Sequence, residues 1–311
     1  MKLLCLLSAI SLATGAADLR LGIIGTDTSH AVAFTALLND PSNPNHVPGA
    51  RVVAAFKGGS PDLEASAGRV EKYAEELGFK YAVKIVPSIQ ELLHLVDAIL
   101  LESVDGRVHL SQFRQIMKAG KPVFIDKPLA STLSDALEIA RLAKENNVRW
   151  FSASALRFSR GLPALQKLEI RGATVWGPGP TDATHELDLS WYGIHSVETL
   201  YALLGPGCVE VARISGAKGD AVTGKWSDGR LGTIALDNSY AGFGAMVFAG
   251  GKSVAAPADL YTGYQDLVAA IVKFFQGAPP PVDERETLEM FAFMDAAQRS
   301  REAGGAPVKL R

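Results

Sequence analysis

Cysteine is nearly absent: two residues, Cys5 and Cys208, in a chain of 311. Charge of one sign is absent too, because 31 Lys and Arg against 33 Asp and Glu leave a formal net charge of −2. That balance excludes nucleic acid or an anionic membrane as the main partner, since both demand a cationic surface. A small neutral or mildly polar ligand fits better. No apolar run is long enough to span a bilayer; the most conspicuous, Leu3 to Ala13, falls well short of the ~20 residues required. Neither an internal repeat nor a low-complexity tract is present. With 48% hydrophobic, 21% charged and 8% aromatic residues, disordered, collagenous and coiled-coil classes are excluded as well. One hydrophobic core stops growing at about 250–300 residues, so the length predicts two domains.

The opening MKLLCLLSAISLATGAAD has one early cation, Lys2, then the apolar run, then the small residues Gly15, Ala16 and Ala17. This is the layout of a signal peptide over residues 1–17, and it predicts a secreted or periplasmic protein. The alternative is an amphipathic or disordered start on a cytoplasmic protein. Cleavage would leave Cys208 alone, with no disulfide possible within the chain, and a net charge of 30 − 33 = −3. No twin-arginine pair precedes the apolar run, so the chain would cross unfolded, without a preloaded cofactor.

From Leu19 the pattern is a buried strand to Ile24, a turn at Gly25 and a helix from about Ser29 to Leu38. A second strand ends at Phe56 and leads to a helix around Leu63 to Gly78. VDAILLES, a helix around His109 to Ala119, PVFIDKP, a helix over Leu133 to Asn146 and VRWFSASA continue the alternation. Strands separated by helices of this length call for a parallel sheet with helices on both faces. After Arg157 short β-branched stretches such as GATVWGP, VEVARISG and RLGTIALD predict an antiparallel meander. IHSVETLYALLG interrupts them as a helix, and helices at about Asp266 to Gln276 and Glu284 to Ala303 close the chain. The domain boundary is expected near residues 148–158, giving domains at 18–150 and 151–311.

Ligands of a parallel sheet bind at the carboxyl ends of its strands. The first such loop is Gly25-Thr26-Asp27-Thr28-Ser29-His30, and a dinucleotide fingerprint needs glycine at its first, third and sixth positions. Only Gly25 complies. Asp27 or Thr28 also suits the N-cap of the following helix, and His30 is either solvated or functional. Asp126-Lys127, abutting the apolar VFI and fixed by Pro128, reads as a pair held in a cleft rather than a surface ion pair. Glu102 directly follows an apolar strand, and Asp105, Arg107 and His109 lie just beyond it. His185 and Glu186 have no third ligand at a recognisable spacing, so no metal is expected. Trp191 and Tyr192 suit a stacking surface for a sugar ring, whereas Trp176 is expected in the core.

The strand, the Gly25 to His30 loop with its helix, the DKP of Asp126 to Pro128 and the YGIH before a helix resemble the glucose-fructose oxidoreductase and inositol dehydrogenase family (Gfo/Idh/MocA). The similarity runs from Leu19 to the closing GGAPVKL. It implies an α/β protein: an N-terminal Rossmann-like doubly wound parallel sheet, then an α+β domain on an open, mainly antiparallel sheet. It also implies NAD or NADP as cofactor, held by Gly25, Thr26, Asp27, Thr28, Ser29, His30, Glu102, Asp126 and Lys127, with Lys57 suiting a 2′-phosphate or simply solvated. Catalysis is implied at Lys127 and His195, with the sugar or polyol held by His109, Arg157, Trp191 and Tyr192. Pairing through the open sheet implies a homodimer or tetramer. The chain departs from the pattern at Asp27 and His30, which replace fingerprint glycines, and at Trp191, where the family has an aspartate four residues before its histidine. A carboxylate about 4 Å from a phosphate costs roughly 4 kcal/mol at an effective dielectric of 20, so Asp27 must turn away or the dinucleotide must be absent. Two functions follow: an NAD(P)-dependent oxidoreductase of a sugar or polyol, or a secreted carbohydrate-binding protein or non-redox lyase or hydrolase that has lost the dinucleotide.

Overall fold

A computed structural model describes residues 17–256 and 259–311. The expected signal segment lies, apart from Ala17, outside the described residues. The first half builds six parallel strands: β1 (Leu19–Ile24), β2 (Ala50–Phe56), β3 (Lys84–Val86), β4 (Ala98–Leu101), β5 (Val123–Ile125) and β6 (Trp150–Ser152). Their order is β3-β2-β1-β4-β5-β6, so the direction of winding reverses between β1 and β4. A crevice opens at that reversal, beyond the carboxyl ends of the strands. The central strands are apolar throughout because helices cover both faces: α1 (Ser29–Asn39), α2 (Glu64–Ala67), α3 (Val70–Tyr81), α4 (Ile89–Leu95), α5 (Gly106–Ile116) and α6 (Leu133–Glu145). Side-chain caps start several of them. Thr28 accepts from the His30 amide, Asp105 from that of Arg107 and Thr132 from that of Asp135.

Two details differ from the sequence expectation. The single helix expected around 63–78 is broken at Gly68 and Arg69 into α2 and α3. The β3–α4 unit went unforeseen because β3 has three residues, of which only Val86 is buried.

The second half contains α7 (Leu162–Gln166), β7 (Ile170–Pro178), α8 (Asp188–Trp191), α9 (Ile194–Leu204), β8 (Cys208–Gly216), β9 (Gly219–Trp226), β10 (Leu231–Asp237), β11 (Gly244–Ala249), β12 (Lys252–Ala255), α10 (Gln265–Phe275), α11 (Glu284–Glu302) and β13 (Val308–Lys309). Its strands form one sheet in the order β12-β11-β7-β10-β9-β8-β13. The expected meander is corrected at one seam: β7 and β10 run parallel, and every other pairing is antiparallel. α9 and α11 cover one face; the other is open. Trp176 stands on the open face at 41% exposure instead of in the core, its indole lying over Gly244, where a Cβ would sit 2.1 Å from the ring.

α10 belongs to the second half by sequence but packs elsewhere. Leu267, Val268, Ile271 and Phe274 join Leu21, Ile23, Phe34 and Phe151 in the core on one face of the first sheet. The two halves therefore share a core as well as a seam. Among the described residues no helix is long and apolar enough to cross a membrane.

Candidate functional site

The crevice at the strand reversal is closed by the second half into a cavity of about 510 Å³. The first sheet supplies Thr28, Ser29 and His30 after β1, Val104 after β4, Lys127 after β5 and Ser154 after β6. Facing them are Trp191, Tyr192, His195, Tyr240, Phe243, Tyr261 and Tyr264, with Arg69 at the rim. This volume is ordinary for a site that encloses a small molecule.

Buried ion pairs set the second wall in place. Arg213 grips Asp188 through two nitrogens at 2.7 and 2.9 Å and reaches Asp220 at 3.0 Å, anchoring α8, which carries Trp191. Arg157 bonds Glu198 of α9 at 2.5 Å and Glu286 of α11 at 2.6 Å. That clamp fixes the turn after Ser154 against α9, and the Ser154 hydroxyl meets His195 Nδ1 at 2.7 Å.

The charges within the cavity are unequal. On the first wall His30 Nδ1 lies 2.6 Å from Asp126 Oδ2, and the Lys127 amide donates to Asp126 Oδ1 at 2.8 Å. Burial opposes ionisation of Asp126, yet His30 and Lys127 hold its pKa below the ordinary carboxylate value. Behind it Glu102 is fully buried, and neither carboxyl oxygen has a hydrogen-bond partner. Burial, reinforced by the Asp126 charge, pushes the Glu102 pKa well up and favours its neutral form. Burial lowers the Lys127 pKa, with Asp126 opposing. On the second wall burial, Lys127 and His30 hold His195 well below the ordinary imidazole value. His195 is neutral near pH 7.

Asp27 turns away from α1. Its carboxylate accepts from Ser66 Oγ at 2.6 Å and from the Val104 amide at 3.2 Å, tying the loop after β1 to α2 and to the loop after β4. Burial raises its pKa. Gly25 has φ +98°, and a Cβ there would lie 2.4 Å from the Ser103 nitrogen, so the turn requires glycine. The Thr26 amide donates to Lys57 O at 2.8 Å, extending the β1–β2 pairing.

Eight residues expected at the ligand do not line the cavity: Gly25, Thr26, Asp27, Lys57, Glu102, His109, Asp126 and Arg157. Lys57 points to the surface and pairs with Glu71 at 2.6 Å. His109 is buried, its ring nitrogens engaged by Leu129 O at 3.2 Å and Ser103 O at 2.8 Å. Arg157 is spent on its two carboxylates behind the wall. Conversely, Arg69, Ser154 and the Tyr240, Phe243, Tyr261 and Tyr264 cluster went unforeseen. Only the adjacent Tyr261 and Tyr264 left a signal, an aromatic pair in a glycine-bearing turn before a helix. His185 packs on Trp191 at 4.8 Å between ring centroids. Among the described residues no group of three His, Cys, Asp or Glu is placed to hold a metal.

Against known proteins, residues 19–154 match the GFO_IDH_MocA model, an oxidoreductase family with an NAD-binding Rossmann fold. This part of the chain is similar to the Rossmann domain of that family. The chain is 31% identical over 153 residues to an inositol 2-dehydrogenase of Cereibacter sphaeroides, covering 48% of this chain and 40% of that protein. It is 39% identical over 88 residues to a 1,5-anhydro-D-fructose reductase of Ensifer adhaerens, covering 28% and 25%. The matched stretches span about a quarter to two fifths of the curated relatives' length. By fold the likeness is wider. A myo-inositol dehydrogenase from Lactobacillus casei, solved with NAD(H) and myo-inositol, superposes at TM-score 0.74 over 95% of this chain and 97% of that one, at 18% identity.

The residues at the N-terminus of α1 fit the phosphates of a dinucleotide. The N-terminus of α1 opens into the cavity through Thr28, Ser29 and His30, and such an end attracts anions. Arg69 adds a cation at the rim. The Asp27 carboxylate, committed to Ser66 and Val104, does not face a phosphate there. The end of β2 offers Phe56, Lys57, Gly58 and Gly59, and no carboxylate for an adenosine ribose.

Proposed function

We propose that this protein is an oxidoreductase acting at a CH–OH carbon of a sugar or polyol, with NAD or NADP as cofactor. The observation that carries this reading is the convergence of Lys127 and His195, from opposite halves of the chain, on one cavity beside the N-terminus of α1. Names among the relatives and structural neighbours support the substrate class: inositol and anhydrofructose are small polyhydroxylated rings. Tyr192, Tyr240 and Tyr261 suit such a ring, offering apolar faces with hydroxyl tips.

The amides of the first turn of α1 and the Arg69 guanidinium would hold the dinucleotide phosphates. When bound, the nicotinamide supplies hydride transfer at the substrate carbon. Lys127 points its ammonium at the reacting oxygen and stabilises the negative charge that develops there. Its lowered pKa makes it a better hydrogen-bond donor than a solvated lysine. The Ser154 hydroxyl fixes the His195 ring, whose other nitrogen hydrogen-bonds the substrate. The aromatic wall excludes water.

One observation favours the second reading, a carbohydrate-binding or non-redox protein without dinucleotide: the His30 ring stands where the fingerprint has its last glycine. Calorimetric titration of the purified protein with NAD and NADP separates the two. Binding of either, weaker than in proteins with the full glycine fingerprint, is the expected result; no heat with either at millimolar concentration overturns the oxidoreductase reading. The segment Met1–Ala17 adds export to the proposal, and the open face bearing Trp176, Ile214 and Phe248 adds self-association.

A further inference from the structure

Two imidazoles face this cavity, and their surroundings decide which can carry a proton. His30 sits 2.6 Å from Asp126, whose other oxygen accepts from the Lys127 amide, and His30 and Lys127 favour the ionised form of that carboxyl. An ionised Oδ2 can only accept, so His30 Nδ1 bears the hydrogen and donates, leaving a lone pair on Nε2. Among the described residues that Nε2 has no hydrogen-bond partner. The ring is locked between Phe34, stacked at 5.4 Å, and Tyr264 at 4.7 Å between centroids. His195 has the opposite setting. Its Nδ1 meets a hydroxyl instead of a carboxylate, Trp191 stands four residues before it, and the nearby charge is the Lys127 ammonium.

We propose that His30, oriented and charge-balanced by Asp126, takes the proton of the substrate hydroxyl, while His195 only hydrogen-bonds the substrate. The inference rests on the oxidoreductase reading. In the oxidation the O–H bond breaks and its proton goes to His30 Nε2. The C–H bond breaks with its electron pair, the hydrogen leaving as hydride to the oxidised nicotinamide, and a C=O remains. Positive charge gained by His30 is compensated 2.6 Å away by Asp126; the same charge on His195 would oppose Lys127. The residue that removes a fingerprint glycine thus replaces an acid–base pair that the second half lacks. The ionisable groups facing His30 are Asp126 and Lys127 after β5, His195 on α9, Tyr264 before α10 and Arg69 at the rim, with Glu102 behind Asp126.

His30→Gly is the decisive variant because it restores the glycine while deleting the imidazole. With NAD and a polyol that the parent oxidises, kcat should fall about 10²- to 10⁴-fold, NAD affinity by calorimetry should hold or tighten, and added imidazole should restore part of the rate. A kcat within threefold of the parent, or a rate lost only in proportion to NAD affinity, overturns the proposal and makes His30 part of the cofactor cradle. A measurement without turnover stands beside it: ¹⁵N NMR of the folded protein, with the histidines identified by His30→Gln and His195→Gln. The proton should be taken up by His30, with Nδ1 protonated throughout and the response altered in Asp126→Asn. Uptake by His195 first, or a His30 proton on Nε2 alone, overturns the assignment. If the parent oxidises no polyol tested, the oxidoreductase reading fails, and the NMR result still decides which imidazole is the proton carrier.

Discussion

The cavity's two walls use one residue type to opposite ends. On the first, His30 has a carboxylate for a neighbour; on the second, His195 has a hydroxyl on one side and an ammonium on the other. Neither imidazole is special by itself. What separates them is which charge the fold delivers within hydrogen-bond range, and that charge comes from elements far away in sequence. The walls differ in construction too: the first is made of loops at strand ends tied by Asp27, and the second is suspended from the buried guanidinium groups of Arg157 and Arg213.

Removing the cation between the walls should break this contrast most severely. Lys127→Met should cost about 10²- to 10⁴-fold in kcat with the thermal transition preserved. It should also let His195 take up a proton at higher pH, since Lys127 is one cause of its depression; pH-resolved NMR reads this, and an unmoved His195 would disconnect the two groups. Next in size is the second wall's anchor. Arg157→Leu leaves the buried Glu198 and the half-buried Glu286 without their ion-pair partner, and loss of one side of a buried pair costs about 3–5 kcal/mol. Denaturant unfolding should show that loss, whereas an arginine acting only on substrate would raise KM and leave the unfolding midpoint in place. The smallest effect concerns the first wall. The folded-state pKa of Glu102 is raised, so its stabilising contribution is complete below the unfolded carboxyl value of about 4.3 and is lost as pH rises toward the folded value. Glu102→Gln carries no such penalty. Its stability should match the parent near pH 4 and exceed it by about 1 kcal/mol at pH 8, and equal stability at both pH values would show that Glu102 ionises freely.

Much of the frame was legible in the sequence. The bounds of β1 and α1, the helix carrying His195 and the two closing helices follow from apolar spacing and caps, because each is a local pattern. Lys127 was legible because a charged pair pressed against VFI and a proline has few places to go. Arg157 and His109 were not legible as structural residues. An arginine after a strand looks the same whether it faces a substrate or two carboxylates 41 and 129 residues away. The rest of the tyrosine wall was hidden for a related reason: Tyr240 and Tyr261 lie on loops far in sequence from Tyr192 and from each other, and only the fold brings them together. Trp176 misled because an indole shielding a glycine on an exposed strand has the same neighbours in sequence as a buried one.

The packing of α10 on the first sheet has a consequence for how the chain is made. Leu267, Ile271 and Phe274 complete the apolar layer over Leu21, Ile23 and Phe34. A growing polypeptide that has reached residue 154 has every strand of that sheet but not its full cover, and the layer closes only once Val282 has been added. The first domain is thus finished only after most of the second has been made, and a chain cut at the seam would display a greasy face to whatever it met first.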